Sequence, residues 1–212
     1  MGQTSHSAQT RQSATRPDQM PNPDGQADNR LRITCQAGGL MNLRTKDDIG
    51  DIMRRYFGTT LPERPNSFTR SGERRAVWLG PDESLLICSD HEAGELHRIL
   101  STQMDGRHFA LSVISDALSV YSLTGPCVRE VLAKGCALDL HKTVFTQSMC
   151  AQTALDRAAV TLICEGEGEI RLICRRSFAD YVETWLKDAA TEFGYEVRRE
   201  DNFPLTPNKQ NS

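Results

Sequence analysis

The sequence has no long hydrophobic run and no excess of charge of one sign. None of its apolar stretches approaches the roughly 18–20 residues that a membrane-spanning helix needs. Its 25 basic and 28 acidic residues give a net charge of −3, and no basic stripe follows a predicted element. We interpret the basic pairs Arg74-Arg75 and Arg175-Arg176 as solvated strand ends. We therefore expect neither a membrane nor a nucleic acid as a partner.

The motifs of common catalytic and nucleotide-binding sites are missing. There is no G-x-S-x-G, no H-E-x-x-H and no glycine-rich phosphate loop. The glycine-rich stretch 164–170 lies between two predicted strands, so it does not open a helix that could hold a phosphate. The five histidines form no recognisable dyad. The sequence predicts no catalytic residue and no cofactor-binding residue in this chain.

The cysteines show no C-x-x-C spacing, and several stand inside apolar strands, as in TLIC and RLIC. The seven are Cys35, Cys88, Cys127, Cys136, Cys150, Cys164 and Cys174. We interpret them as small buried hydrophobic residues in a reducing cytoplasm. A zinc site needs closely paired ligands. Only Cys136 and His141 lie near one another, so we predict no metal site.

The two ends of the chain differ in composition from the middle. Residues 1–29 contain no Leu, Ile, Val, Phe, Trp or Tyr, so burial cannot offset their ordering entropy and we expect a disordered tail. They also lack the apolar centre of a signal peptide. Residues 204–212 are a second predicted tail. Residues 30–203 are therefore expected to form one globular domain.

Residues 115–186 carry the clearest periodicity. Residues 117–123 alternate as a strand does, Gly125-Pro126 ends that strand, and a helix follows with Gly135 as a left-handed C-cap. Residues 159–164 and 169–175 flank a hairpin turn. The last predicted helix repeats apolar residues at helical spacing. Its expected buried face is Phe178, Tyr181, Val182, Trp185, Leu186 and Ala189.

The first half repeats this order more weakly. A strand end at 40–43 precedes a helix that ends at Gly58, then a hairpin over 76–88 and another helix. The order strand–helix–strand–strand–helix thus occurs twice, displaced by roughly 80–85 residues. The sequence predicts an α+β domain with an internal repeat, about 31–104 and 108–200, in which helices cover antiparallel sheets.

Five blocks of sequence resemble the gamma subunit of heterotetrameric sarcosine oxidase, in that family's order. They are VWLGPDESLLI (77–87), SDALSVYSLTGP (115–126), VREVLAKGCALDLH (128–141), CAQTALDRAAVTLI (150–163) and RSFADYVETWL (176–186). That family in turn resembles the folate-binding aminomethyltransferase fold, of which G-P-x-x-R-E-x-L is a local match. The resemblance covers roughly residues 31–200.

The resemblance implies a place in a cytoplasmic oxidoreductase that acts on a CH–NH group with oxygen as acceptor. Such a complex demethylates sarcosine to glycine and transfers the one-carbon unit to tetrahydrofolate. It implies alpha, beta and delta subunits as partners, which hold FAD, FMN, NAD, tetrahydrofolate and zinc. The gamma subunit itself is implied to be a non-catalytic structural and assembly subunit.

Two alternatives stay open at this point. Lys134-Gly135-Cys136 partly matches a motif of free-standing folate-binding proteins of the iron–sulfur assembly type, which share this fold. An independent aminomethyltransferase is the other alternative, although only residues 136–155 connect the first helix of the second repeat to the next strand. That connection leaves little room for the middle segment that shapes a folate pocket.

One loop is a candidate for contact with a partner subunit. It follows the helix that contains Val128 and includes Asp139 and His141. Loops on a rigid scaffold commonly carry binding residues. We therefore expect Asp139 and His141 to contact a partner.

Overall fold

The computed structural model describes residues 19–20 and 29–199. Most of the two predicted tails, residues 1–18, 21–28 and 204–212, lies outside the described residues. Within the predicted N-terminal tail, the structure places a two-residue strand, β1 (Gln19–Met20), beside the last strand of the chain. No helix of the described residues is long and apolar enough to cross a membrane.

Residues 29–113 contain six strands and two helices. The strands are β2 (Leu31–Gln36), β3 (Gly39–Thr45), β4 (Phe68–Ser71), β5 (Arg74–Gly80), β6 (Glu83–Cys88) and β7 (Phe109–Val113). Helix α1 (Gly50–Ile52) continues as a π-helical turn, Met53–Phe57, and ends at Gly58 as predicted, where a φ of 89° makes a left-handed cap. Helix α2 (Ala93–Gln103) follows a 3₁₀ turn, Asp90–Glu92.

The second half repeats this order. Its strands are β8 (Leu118–Thr124), β9 (Cys150–Leu155), β10 (Ala158–Gly166), β11 (Glu169–Arg175) and β12 (Tyr195–Arg199). Helix α3 (Val128–Ala133) follows β8, and α4 (Ala179–Ala189) follows β11. The predicted α+β class and the two similar units are confirmed.

The two halves exchange their first strands. The first sheet has the order β4-β5-β6-β3-β7, and the second has β1-β12-β2-β8-β11-β10-β9. Strand β2 begins the first repeat but pairs antiparallel with β8 of the second, whereas β7 begins the second repeat and pairs antiparallel with β3 of the first. The exchange makes the halves one domain. Strand β12 adds a parallel pair to sheets that are otherwise antiparallel.

The sheets stack face to face with helices on both outer sides. One apolar cluster lies between the first sheet and α1 and α2, and a second lies between the other sheet and α3 and α4. The third cluster lies between the sheets. It contains Leu40, Phe68, Val77, Leu85, Ile87, Val120, Cys150, Ile163 and Ile173. The fold therefore has four layers, helix–sheet–sheet–helix.

A reciprocal pair of hydrogen bonds joins the edge strands β4 and β9. The amide of Phe68 donates to Ser148 O at 3.0 Å, and the amide of Cys150 donates to Asn66 O at 2.9 Å. Asn66 and Ser148 both have positive φ, 56° and 70°. The pairs Asn66/Ser148 and Phe68/Cys150 have the same separation along the chain. This approximate two-fold relation supports an origin of the two halves by duplication.

The last helix buries a narrower face than the sequence predicts. Val182 and Leu186 are fully buried, and Trp185 packs against the same core as a partly buried side chain. Phe178 was expected on this face, but it is 36% exposed because it precedes α4 in a 3₁₀ turn. Its placement in the core is wrong. The exposed ring instead meets Tyr181 edge to face, with ring centroids 6.4 Å apart.

Candidate functional site: a groove beside the loop after α3

A glycine turn places α3 against the tip of the β10–β11 hairpin. Gly125 has a φ of 136°, which side-chain-bearing residues rarely adopt, and a Cβ there would run into the carbonyl oxygen of Arg30. The Gly125 amide donates to Gly168 O at 3.0 Å. The following Pro126 lies in the turn before α3, whose N-cap is Cys127. Glycine is therefore required where the helix and hairpin meet.

Arg129 fastens the loop after α3 to this hairpin. Its Nη1 donates to Leu140 O at 2.6 Å and to Phe145 O at 2.9 Å. Its Nε donates to Glu167 O at 2.9 Å, and Nη2 lies 3.4 Å from Gly166 O. A guanidinium holds several donors in one plane, so one side chain joins two loops. Arg129 was not among the predicted site residues, although it stands in the G-P-C-V-R-E-V-L block.

Apolar side chains anchor the same loop from below. Leu140 is 4% exposed and Phe145 is 2% exposed, and both belong to the core beneath α3 and α4. Leu138 packs against that core as well. With these alternating anchors, Asp139 and His141 are left on the exposed side of the loop. Both residues lie in the loop after α3, and their contact with a partner stays a prediction.

Asp139 and His141 are bonded in a way that shapes the loop. The Asp139 Oδ1 accepts the backbone amide of His141 at 2.9 Å, which closes a turn. The His141 Nδ1 lies 2.8 Å from Thr143 Oγ1. The imidazole and the Asp139 carboxylate thus bond to different groups. This arrangement is not the carboxylate–histidine pair of an acid–base catalyst.

These residues form the rim of a surface groove of about 570 Å³ between α3 and the loop. Its lining is Pro126, Arg129, Glu130, Ala133, Cys136, Leu138, Asp139, Leu140, His141, Lys142 and Glu167. Lys142 Nζ lies 2.9 Å from Glu167 Oε1. The hydrogen bond from Lys142 and its charge hold the pKa of the exposed Glu167 carboxyl below its usual value. The rim is therefore charged at neutral pH and suited to a polar protein surface.

The cysteine in the lining of this groove is buried. Cys136 is 8% exposed and its Sγ lies 3.6 Å from Thr153 Oγ1. All seven cysteines are buried free thiols. The pKa of Cys35 is raised to about 12, mainly by burial and secondly by the charge of Glu183. Among the described residues, no three His, Cys, Asp or Glu side chains gather where they could hold a metal ion.

A buried ionic cluster lies on the other side of the β10–β11 hairpin. The carboxylate of Glu165, on β10, is completely buried and bonds Arg75 on β5. Arg70 on β4 and Arg171 on β11 each reach a Glu165 oxygen at 3.2 Å. Burial, and secondly the charge of Arg75, lower the pKa of Arg171. The cluster therefore ties the first sheet to the second.

Part of this cluster contradicts the interpretation of Arg74-Arg75 as solvated strand ends. Arg75 is 4% exposed, because its strand turns this side chain inward toward Glu165. Arg74 is half-buried and bonds Glu92 at 2.6 Å. The signal that could have found the cluster is Glu165 itself, a charged residue directly after the apolar run AVTLIC.

Comparison with known proteins identifies the family. The model of the "Sarcosine oxidase, gamma subunit" family matches residues 51–192. The chain belongs to this family. Among curated relatives, the gamma subunit of sarcosine oxidase from Corynebacterium sp. (strain P-1) is 36% identical over 140 residues, 66% of this chain and 68% of that protein. The gamma subunit from Arthrobacter sp. is also 36% identical over 140 residues, covering 65% and 67%.

Solved structures agree with the family and with the fold. A chain of heterotetrameric sarcosine oxidase from Corynebacterium sp. U-96, solved with pyrrole 2-carboxylate, matches with a TM-score of 0.72 and 28% identity. The match covers 79% of this chain and 87% of that chain. Aminomethyltransferase T of the glycine cleavage system from Bartonella henselae matches with a TM-score of 0.60 and 12% identity over 81% of this chain and 49% of that chain. The second match shows the fold alone and confirms the predicted likeness to aminomethyltransferases.

Proposed function

We propose that the chain is a non-catalytic structural subunit of a heterotetrameric sarcosine oxidase. The assembled enzyme would oxidise sarcosine to glycine with oxygen and transfer the released one-carbon unit to tetrahydrofolate. The single observation that carries this proposal is the structural match to a chain of such a heterotetramer over 87% of that chain's length. The family match over residues 51–192 supports it independently.

The side chains support a structural role more than a chemical one. The buried charged residues Glu165 and Arg75 bond each other, and the cysteines with raised pKa values are protonated at neutral pH. The Arg129 guanidinium is occupied by backbone carbonyls. Groups committed to internal bonds hold a fold in one conformation and are not available as acids, bases or nucleophiles.

The proposal assigns the redox and folate chemistry to other subunits. In it, the alpha, beta and delta subunits hold FAD, FMN, NAD, tetrahydrofolate and zinc, and the complex is cytoplasmic. The alternative of an independent aminomethyltransferase receives less support. This chain spans only about half the length of the matched aminomethyltransferase, and at 12% identity that match concerns the fold.

We assign the groove between α3 and the 138–142 loop to a partner subunit. Asp139 and His141 stand on its exposed rim, and the loop beneath them is fixed by Arg129 and by Leu140 and Phe145. A fixed loop loses little entropy when a partner binds. The charges of Lys142 and Glu167 on the same rim can set the orientation of the partner.

The test substitutes both rim residues in the co-expressed complex. Asp139→Ala with His141→Ala should weaken assembly, measured by the amount of this chain that co-purifies with its partners, while sarcosine turnover per assembled complex stays unchanged. The matched control is Asp105→Ala with His91→Ala, another exposed acid and histidine, which should assemble normally. A rim variant that assembles normally but no longer turns over sarcosine would show that these residues take part in chemistry.

A further inference from the structure

Strands β2 and β7 occupy equivalent places in the two sheets. Each begins one repeat, and each pairs antiparallel with the first internal strand of the other repeat. Ile33 of β2 lies opposite Leu123 of β8, and Leu111 of β7 lies opposite Leu43 of β3. The approximate two-fold relation between the halves therefore superimposes the outer edge of β2 on the outer edge of β7.

The outer edge of β2 is covered by a strand, whereas no strand of the described residues pairs with the outer edge of β7. Strand β12 runs parallel to β2 with Tyr195 beside Leu31 and Val197 beside Ile33. Tyr195 and Val197 reach the core beneath α3 and α4. Strand β7 is the last strand of its sheet among the described residues. The place that corresponds to β12 is thus not filled by residues 19–20 or 29–199.

The hydrogen-bond pattern between β7 and β3 shows which main-chain groups of β7 point away from β3. The Ile114 amide donates to Leu40 O of β3 at 2.8 Å. In an antiparallel pair only alternate residues bond the neighbouring strand. The main-chain N–H and C=O groups of residues 110 and 112 therefore point toward β3. The amides of Phe109, Leu111 and Val113 point outward. His97 Nε2 lies 3.2 Å from Leu111 O, which places this carbonyl on the outward side as well. A carbonyl oxygen has two lone pairs, so an added strand would share or displace this side-chain bond.

The composition of β7 is also typical of a strand whose two edges are both paired in the functional protein. Exposed edge strands are usually protected by charge, proline or bulges. Strand β7 reads FALSV, which contains no charge and no proline, and Val113 is 47% exposed. The opposite edges, β4 and β9, already meet each other through the Ser67–Met149 bridge. Among the described residues, the outer edge of β7 therefore lacks the strand that would correspond to β12.

We propose that the outer edge of β7 binds an extended segment of another subunit, which adds a strand parallel to β7. This inference rests on the proposed function. The segment should resemble β12 in pattern, with apolar residues at alternate positions facing α2, where Phe109 and Leu111 are partly buried. Main-chain hydrogen bonds would supply the affinity and the alternate side chains the specificity, as in other cases of strand addition.

Residue-resolved hydrogen exchange of the free chain and of the assembled oxidase tests this proposal. The amides of Phe109, Leu111 and Val113 should exchange rapidly in the free chain and at least about 100-fold more slowly in the complex. The amides of Ala110 and Ser112, which face β3, should be slow in both and serve as internal controls. A complex that forms without protection of the three outward amides overturns this inference alone.

Two other outcomes contradict it in different ways. If the chain forms no complex, the proposed function fails and this inference fails with it. If the three amides are already protected in the free chain, another segment of this chain or a second copy covers the edge, and the proposed occupant is wrong.

A pair of variants gives a second measurement. Val113→Pro removes an outward amide, which edge strands tolerate because that amide does not join the ladder. Val113→Ala keeps the amide and loses nearly the same side chain. With both variants folded, as shown by an unchanged unfolding midpoint, Val113→Pro should weaken assembly at least about tenfold more than Val113→Ala. Equal assembly of the two variants would overturn the proposal.

Discussion

The indole ring of Trp185, on α4, lies directly over the α-carbon of Gly135 at the end of α3. A Cβ on Gly135 would lie well inside van der Waals contact with the Cζ2 atom of that ring. The φ of Gly135 is not positive, so the predicted left-handed C-cap is wrong. Glycine is needed here because two helices approach closely, and not because the backbone turns.

Gly135→Ala should therefore destabilise the chain by overpacking, at about 1–3 kcal/mol in urea unfolding. Gly94→Ala is the matched control, since a Cβ on Gly94 in α2 would meet open space, and it should be neutral or slightly stabilising. In the Gly135→Ala background, Trp185→Leu should recover part of the loss. Strict additivity of Gly135→Ala and Trp185→Leu would show that the indole does not set this requirement.

Loss of the buried carboxylate of Glu165 should destabilise the fold more than loss of an exposed carboxylate in the same hairpin. Glu165→Gln would leave the buried Arg75 guanidinium without its counter-charge, and removing one partner of a buried pair costs about 3–5 kcal/mol. Glu167→Gln, two residues along in the same hairpin, removes a carboxylate that is 75% exposed and pairs with Lys142, so it should change the unfolding midpoint little. Similar unfolding midpoints for the two variants would contradict the assignment of Glu165 as the tie between the sheets.

Arg129 should control the order of the loop that contains Asp139 and His141. Arg129→Lys keeps the charge but cannot reach the carbonyls on both loops at once. We expect a loss of about 2 kcal/mol and faster proteolysis within residues 137–144. Arg98→Lys, in an exposed pair with Glu95, should change neither quantity. Unchanged proteolysis of Arg129→Lys would mean that the apolar anchors alone fix the loop.

The cysteines should be unreactive while the chain is folded. Burial raises the pKa of Cys174 to about 12 and of Cys88 and Cys150 to about 11. At pH 8 the reactive thiolate is therefore rare, and access is restricted as well. Titration with a chromogenic disulfide should detect all seven thiols in denaturant and react at least about 100-fold more slowly with these buried thiols in the native chain. Rapid native reaction at any of these three positions would contradict their burial.

Local periodicity predicted the helices and hairpins of each repeat because an apolar stripe or an alternating run determines which face is buried. It could not predict the exchange of β2 and β7, since nothing within a five- or six-residue strand specifies the sheet it joins. Arg75 was misplaced for a related reason. Its partner Glu165 stands 90 residues away in the sequence, so a window centred on Arg75 shows only a basic pair.

The candidate site was also predicted only in part. The placement of Asp139 and His141 in a loop followed from their position after the predicted helix that contains Val128. The part played by Arg129 did not, because its acceptors are backbone carbonyls, which leave no trace in side-chain sequence.

The native mass of the assembly that contains this chain tests the central claim most directly. The measurement is made on the complex purified from the natural source, with the subunits identified by mass spectrometry. The 23.7 kDa chain should elute with three different partner chains in a yellow, flavin-containing complex that oxidises sarcosine. Elution of the whole pool of this chain alone, at its monomer mass and without flavin-bearing partners, would show that it is not a subunit of such an oxidase.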